Sequence, residues 1–151
     1  VILGILGGLV VVSFMGKMQR DFEPAVIQAL QGVKNPTTSA QLEVYFSPTE
    51  DVQSKLIGEL QKAKETIDCS LYGITQEDIA NTLIAKDKGG VQVRVGLDKT
   101  QAAGKSDKHT ELVAGGVEVR IKKTSALEHN KWCVLDNKTV VEGSYNWSQN
   151  A

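Results

Sequence analysis

Between Gln41 and Ile121 the apolar residues switch repeatedly between two periods, and that alternation leaves few folds open to the chain. Leu42, Val44 and Phe46 recur at every second residue, the repeat of a strand with one face turned inward. Val52, Leu56, Ile57, Leu60 and Ala63 then follow helical spacing and predict a helix through about Lys64 with that stripe buried. Ser47-Pro48-Thr49-Glu50 ahead of it offers an N-cap, a proline at the first helical position and a capping-box glutamate. Thr66 to Tyr72 reads as a strand, Thr75 as the cap of a second helix ending at Gly89-Gly90, and Val91 to Asp98 as the next strand. The polar stretch Lys99 to Lys108 leads to a short helix ending at Gly115-Gly116 and a strand from Val117 to Ile121. Such alternation implies an α/β layered fold, a mixed, largely parallel sheet flanked by helices. At 151 residues, 41% of them hydrophobic, the chain suits one ordinary core rather than two.

The amino-terminal residues follow a different rule. Val1 to Gly16 is almost wholly apolar, and its first charges are Lys17 and Arg20, the way a membrane-inserting helix meets the interface. Residues 1–20 are therefore expected to form an N-terminal hydrophobic helix that anchors the protein to a membrane. A cleaved signal, with an exported or periplasmic protein, is the alternative, and a core helix the third reading. Asp21 to Gly32 can form a short helix with Val26, Ile27 and Leu30 on one side, and Lys34 to Ala40 reads as a linker, so the main domain is expected over residues 41–151.

Charge and metal-ligand inventory narrow the chemistry. A net charge of -1 and a pI near 6.2 lack the basic footprint of many nucleic-acid binders, so an anionic substrate would need a local cluster of cations. Lys99, Lys105, Lys108, Lys122 and Lys123 supply candidates, the first three in a loop that follows a strand's carboxyl end. Cys69 and Cys133 lie in apolar runs without paired ligand spacing and read as core thiols. His109 stands at an expected helix start and reads as a surface residue. With no Cys or His cluster at ligand spacing, no metal or other cofactor is expected.

The residues that carry chemistry are gathered near the carboxyl end. His129-Asn130-Lys131 is followed by Asp136 and then by Gly143-Ser144-Tyr145-Asn146. His129 and Lys131 are two apart, so an extended backbone projects them to one face, and Ser144 and Asn146 can do the same. A turn at Asn137-Lys138 can fold the two segments into a hairpin. An imidazole, an ammonium, a hydroxyl and an amide would then be brought together. A phosphodiester needs such a set: a base or nucleophile that can be neutral near pH 7, and donors for the charge on its non-bridging oxygens. Asp136 is counted with His129 and Lys131 in the catalytic set, where orienting the motif or making the turn is expected of it ahead of proton transfer.

From about Gln41 to Ala151, on the strength of this His-x-Lys, Asp and Gly-Ser-x-Asn pattern, the chain resembles the phospholipase D superfamily. It is most similar to the small single-motif members, the bacterial endonucleases and the mitochondrial phospholipase D/Zucchini group, with no counterpart of the latter's zinc ligands. The resemblance implies the phospholipase D/nuclease fold and a homodimer whose composite active site holds two copies of His129 and Lys131. It also implies a phosphohistidine on His129, with Lys131, Ser144 and Asn146 holding phosphate oxygens. Relatives continue past Gly-Ser-x-Asn with a strand, an acidic residue supporting the histidine and a helix, so a further carboxyl-terminal part is expected beyond Ala151. The expected function is a metal-independent phosphodiesterase, a DNA or RNA endonuclease first and a phospholipid hydrolase second. A membrane-anchored binding protein without turnover is the third possibility.

Overall fold

A computed structural model describes residues 10–15, 41–124 and 126–149. The expected helix over Asp21 to Gly32 and the linker after it lie outside the described residues. Among the described residues seven strands form one sheet: β1 (Val10–Met15), β2 (Leu42–Ser47), β3 (Thr66–Leu71), β4 (Gln92–Leu97), β5 (Glu118–Ile121), β6 (Lys131–Leu135) and β7 (Thr139–Gly143). Their spatial order is β2-β1-β7-β6-β3-β4-β5, and only β6 runs antiparallel to its neighbours. The largely parallel sheet expected from the alternating pattern is thus present.

The helices are α1 (Val52–Lys62), α2 (Glu77–Lys88), the single turn α3 (Lys99–Ala102) and α4 (His109–Ala114). Val52, Leu56 and Leu60 of α1, Ile79 and Leu83 of α2 and Leu112 of α4 share one core with Ile67, Leu71, Val93, Val95 and Leu97 of the sheet. Removing a side chain such as Leu60 or Leu83 from water contributes about 1.5–3 kcal/mol. That core fixes α1 and α2 over one face of the sheet. On the opposite face, Asp68, Arg94, Glu118, Arg120 and Trp132 line a shallow groove of about 250 Å³. Among the described residues, then, the helices expected to flank the sheet lie on one side of it. The alternation of β3 and β4 is the reason, since their outward positions, Thr66, Asp68, Ser70, Gln92 and Arg94 among them, are largely polar.

Three expectations need correction. Val10–Met15 is a strand between β2 and β7, where a hydrophobic helix was expected over residues 1–20; the rest of that span lies outside the described residues. A short run rich in valine satisfies a doubly flanked parallel strand as well as a helix, and periodicity cannot separate them. Among the described residues no helix is long and apolar enough to cross a membrane. The start of α1 is also different: its cap is Asp51, whose carboxylate accepts from the Ser54 backbone N–H at 3.0 Å. Ser47 ends β2 instead, and Glu50 folds back to accept from Phe46 N–H at 2.6 Å. Finally, Cys69 and Cys133 are joined as a disulfide. They face each other directly across the β3-β6 ladder, 4.1 Å apart at Cα, a juxtaposition that only the strand register creates.

Candidate active site

The reversed direction of β6 positions the site. The parallel strands β3, β4, β5 and β7 end at one edge of the sheet, and β6 begins there. His129 and Lys131 therefore enter β6 at the edge where Tyr72, Asp98 and Ser144 leave their own strands. The hairpin between β6 and β7 closes at the opposite edge through the three-residue loop Asp136-Asn137-Lys138, with Asp136 and Asn137 in the left-handed region at φ 53° and 52° and Lys138 N–H donating to the Leu135 carbonyl at 2.9 Å.

Lys131 is the most enclosed of the reactive groups, only 8% exposed, and burial alone lowers its ammonium below an ordinary lysine. Its Nζ donates to the His129 carbonyl at 3.0 Å and stands 5.4 Å from the centre of the Tyr72 ring. The His129 imidazole is exposed and meets the same ring edge to face, with centroids 4.6 Å apart at 71°. Lys131 also lines a cleft with Tyr45, Lys55, Gly143 and Tyr145, which brings the exit of β7 next to the start of β6.

Beyond β7 the chain bends at Ser144 and rejoins the body of the protein at a bridge between Trp147 and Ile74. Tyr145 and Trp147 are buried, while Ser144 is exposed and Asn146 lies half-buried between them. Trp147 anchors the segment: its carbonyl accepts from the backbone N–H of Thr75 at 2.9 Å and of Gln76 at 3.2 Å. Ser144 is exposed at the edge, while the Asn146 Oδ1 is buried with no hydrogen-bond partner among the described residues.

Asp136 takes no place at this edge. It lies five residues along β6 from Lys131, about 17 Å of extended chain. Its carboxylate accepts from the backbone N–H groups of Lys64, Glu65 and Thr66, tying the turn to the α1-β3 junction. Burial pushes this carboxyl up, but the three backbone donors outweigh it and hold it below the usual aspartate value. The structure thus holds Asp136 at the turn, apart from the edge that carries His129 and Lys131.

Sequence reading passed over a second layer of the site. Asp98, 3% exposed, accepts from Thr100 N–H, Gln101 N–H and Glu128 N–H at 2.8, 3.2 and 3.0 Å. The Glu128 bond is the leading reason its carboxyl is held below the usual range. Glu128 accepts from Lys122 and Ser70, both at 3.0 Å, and from Asn130, so the residue before His129 is fixed on several sides. Gln101 Nε2 donates to the Tyr72 hydroxyl at 2.8 Å. Tyr72 and Asp98 both sit at carboxyl ends of parallel strands, where α/β sheets gather ligands, and that rule could have singled them out. Of the lysines, Lys122 is committed to Glu128 and Lys108 to Glu111. His109 is half-buried and bonded through Nδ1 to the buried Asp107 at 3.0 Å, so it is less free than a surface residue. Among the described residues no cluster of His, Cys, Asp and Glu could hold a metal ion.

Known proteins resemble this chain in sequence and in fold. Residues 56–151 match the family model described as cardiolipin synthase, PLD-like domain. The chain is 30% identical over 106 residues to a mitochondrial cardiolipin hydrolase of Chlamydomonas reinhardtii, covering 70% of this chain and 48% of that protein. It is 30% identical over 109 residues to a phospholipase D of Rickettsia conorii, covering 72% and 54%. The chain thus spans about half the length of the curated relatives it matches. Among solved structures, the phospholipase D family member Nuc from Salmonella typhimurium aligns with a TM-score of 0.63 at 26% identity, over 68% of this chain and 69% of that one. NucT from Helicobacter pylori aligns at 0.64 and 26%, over 70% and 74%. With its family model, its fold and its His-x-Lys edge in agreement, the chain belongs to the phospholipase D superfamily, as a member with a PLD-like domain.

Proposed function

We propose that this protein is a metal-independent phosphodiesterase that uses His129 as its nucleophile and acts on the backbone of DNA or RNA. The observation that carries the reading is the pairing of an exposed imidazole with an enclosed ammonium at one sheet edge, both against Tyr72. A ring nitrogen of His129 attacks phosphorus, the bond to the leaving oxygen breaks, and a proton passes to that oxygen from His129 of a second copy in a homodimer. Water then attacks the phosphohistidine, giving up its proton to the second histidine and restoring the first. Lys131, Ser144 and Asn146 hold the non-bridging oxygens as charge builds on them.

Nucleic acid is supported by the exposed Lys99 at the start of α3 and Lys105 and Lys123 on loops at this edge, and by the likeness to Nuc. A phospholipid substrate is the second reading. It is favoured by Leu127, 62% exposed and two residues from His129, which gives the rim an apolar point, and by the relatives named phospholipase D. The deciding experiment is hydrolysis of single-stranded DNA, RNA and phospholipid vesicles in EDTA by the chain and by His129→Ala. Nucleic-acid cleavage that the variant lacks is expected. Lipid-only turnover would promote the second reading, and equal activity of the variant would remove His129 as nucleophile.

A further inference from the structure

We propose that Tyr72 is the positioning residue of this reaction centre, its single ring setting both the His129 imidazole and the Lys131 ammonium. The proposal rests on the reading of His129 and Lys131 as the reacting pair. The two groups touch different parts of the ring: His129 makes an edge-to-face contact at 4.6 Å between centroids, and Lys131 Nζ lies 5.4 Å from the centroid. An aromatic side chain can serve both at once, because its negative face attracts a cation and its edge and face both accept a neighbouring ring. An aliphatic residue of equal volume would fill the space and do neither.

The ring is itself held at both ends. Its backbone N–H donates to the Asn130 carbonyl at 2.7 Å, which fixes the peptide between His129 and Lys131. Its hydroxyl accepts from Gln101 Nε2 at 2.8 Å, and the Gln101 backbone N–H donates to the buried Asp98. The other oxygen of Asp98 accepts from Glu128 N–H, immediately before His129. One buried carboxylate therefore ties down the support of the imidazole from one side and its own backbone from the other. A nucleophilic histidine gains most from such restraint, since a small misplacement of an attacking atom costs a large factor in rate. Lys131 is already pushed toward neutrality by burial, so the ring's attraction for a cation acts to keep the charge on it.

The test is steady-state hydrolysis of bis(p-nitrophenyl) phosphate across pH by the full chain and its Tyr72→Leu, Tyr72→Phe, Gln101→Leu and His129→Ala variants. Rates are normalised to folded protein by circular dichroism. Tyr72→Leu is expected to lower kcat roughly tenfold, the combined loss of the ring-ring and ring-cation contacts, with KM within about twofold. Its basic limb should also move to lower pH. Tyr72→Phe keeps the ring and should restore kcat to within about threefold with the limb in place. Gln101→Leu, which keeps the ring but frees its hydroxyl, should cost about twofold to fivefold in kcat. Wild-type kcat and pH limb in Tyr72→Leu, beside an inactive His129→Ala, would overturn the role of Tyr72 while leaving the site intact. Tyr72→Phe as impaired as Tyr72→Leu would overturn it as well, because the hydroxyl and not the ring would then matter. Full turnover by His129→Ala would instead remove the reading of the site on which the proposal stands.

Discussion

Replacing Asp136 separates support of the fold from chemistry. Its carboxylate receives backbone N–H bonds from Lys64 at 2.9 Å, Glu65 at 2.7 Å and Thr66 at 3.0 Å. A bond to a charged acceptor contributes about 1.5–3 kcal/mol, and bonds that share one partly exposed carboxylate add incompletely. Asp136→Asn keeps one acceptor oxygen and tolerates a φ of 53°, so its expected cost is about 1.5 kcal/mol. Asp136→Ala loses every acceptor and places alanine in the left-handed region, for roughly 3 kcal/mol in all. Urea unfolding and thermal melts read both, with Tm falling by roughly 6 and 12 °C at about 4 °C per kcal/mol. The pH dependence has a definite sign. A carboxyl depressed in the folded state stabilises fully above the unfolded value of 3.8 and loses that contribution as pH falls through the folded value. The difference between wild type and Asn variant should therefore shrink below about pH 4. Turnover per folded molecule should stay within about twofold, because the carboxylate lies some 17 Å along the strand from Lys131. An Asn variant with wild-type stability and no turnover would refute this reasoning and return Asp136 to the reacting set.

Other perturbations test other parts of the structure. Alkylation without reductant should leave Cys69 and Cys133 unmodified by mass, and reduction should lower stability by about 4 kcal/mol, from a loop closed over a separation of 64 residues. Leu60→Ala removes a fully buried side chain and should cost about 2–5 kcal/mol in denaturant unfolding, with little change in turnover per folded molecule. Burial lowers the Lys131 pKa below 10.5, so the protonated form the substrate needs is lost as pH rises through that depressed value. The basic limb of a rate profile should accordingly precede that of a free lysine. Lys131→Met should abolish the limb and reduce kcat on the order of 10²- to 10³-fold.

The parts of the molecule legible in sequence are those set by near neighbours. The stripe Val52, Leu56, Leu60 and Ala63 is buried as its spacing predicts, because helical geometry places those residues on one side whatever lies opposite. His129, Lys131, Ser144 and Asn146 stood out as candidates from their spacing, and the structure carries these four positions on and beside the β6-β7 hairpin. The Cys69–Cys133 link was not, since it depends on β3 and β6 pairing in a register that no local pattern announces. Tyr72 read as the end of an apolar strand, and its second role arises only when β6 is laid beside β3. Val10–Met15 was ambiguous in principle: a run of valines is compatible with both a membrane helix and a strand with neighbours on each side.

The one reversed strand also bears on how such a site could be moved between proteins. Because β6 and β7 run in opposite directions, every reagent from His129 to Asn146 travels on a single hairpin, a self-contained cassette. Its frame does not travel with it: Tyr72, Asp98 and Gln101 belong to strands and loops of the host sheet. A hairpin transplanted onto another parallel sheet would bring the proposed nucleophile, cation and phosphate ligands in the same order, yet leave them loosely aimed. Its activity would then measure how well the new host rebuilds the aromatic rest beneath them.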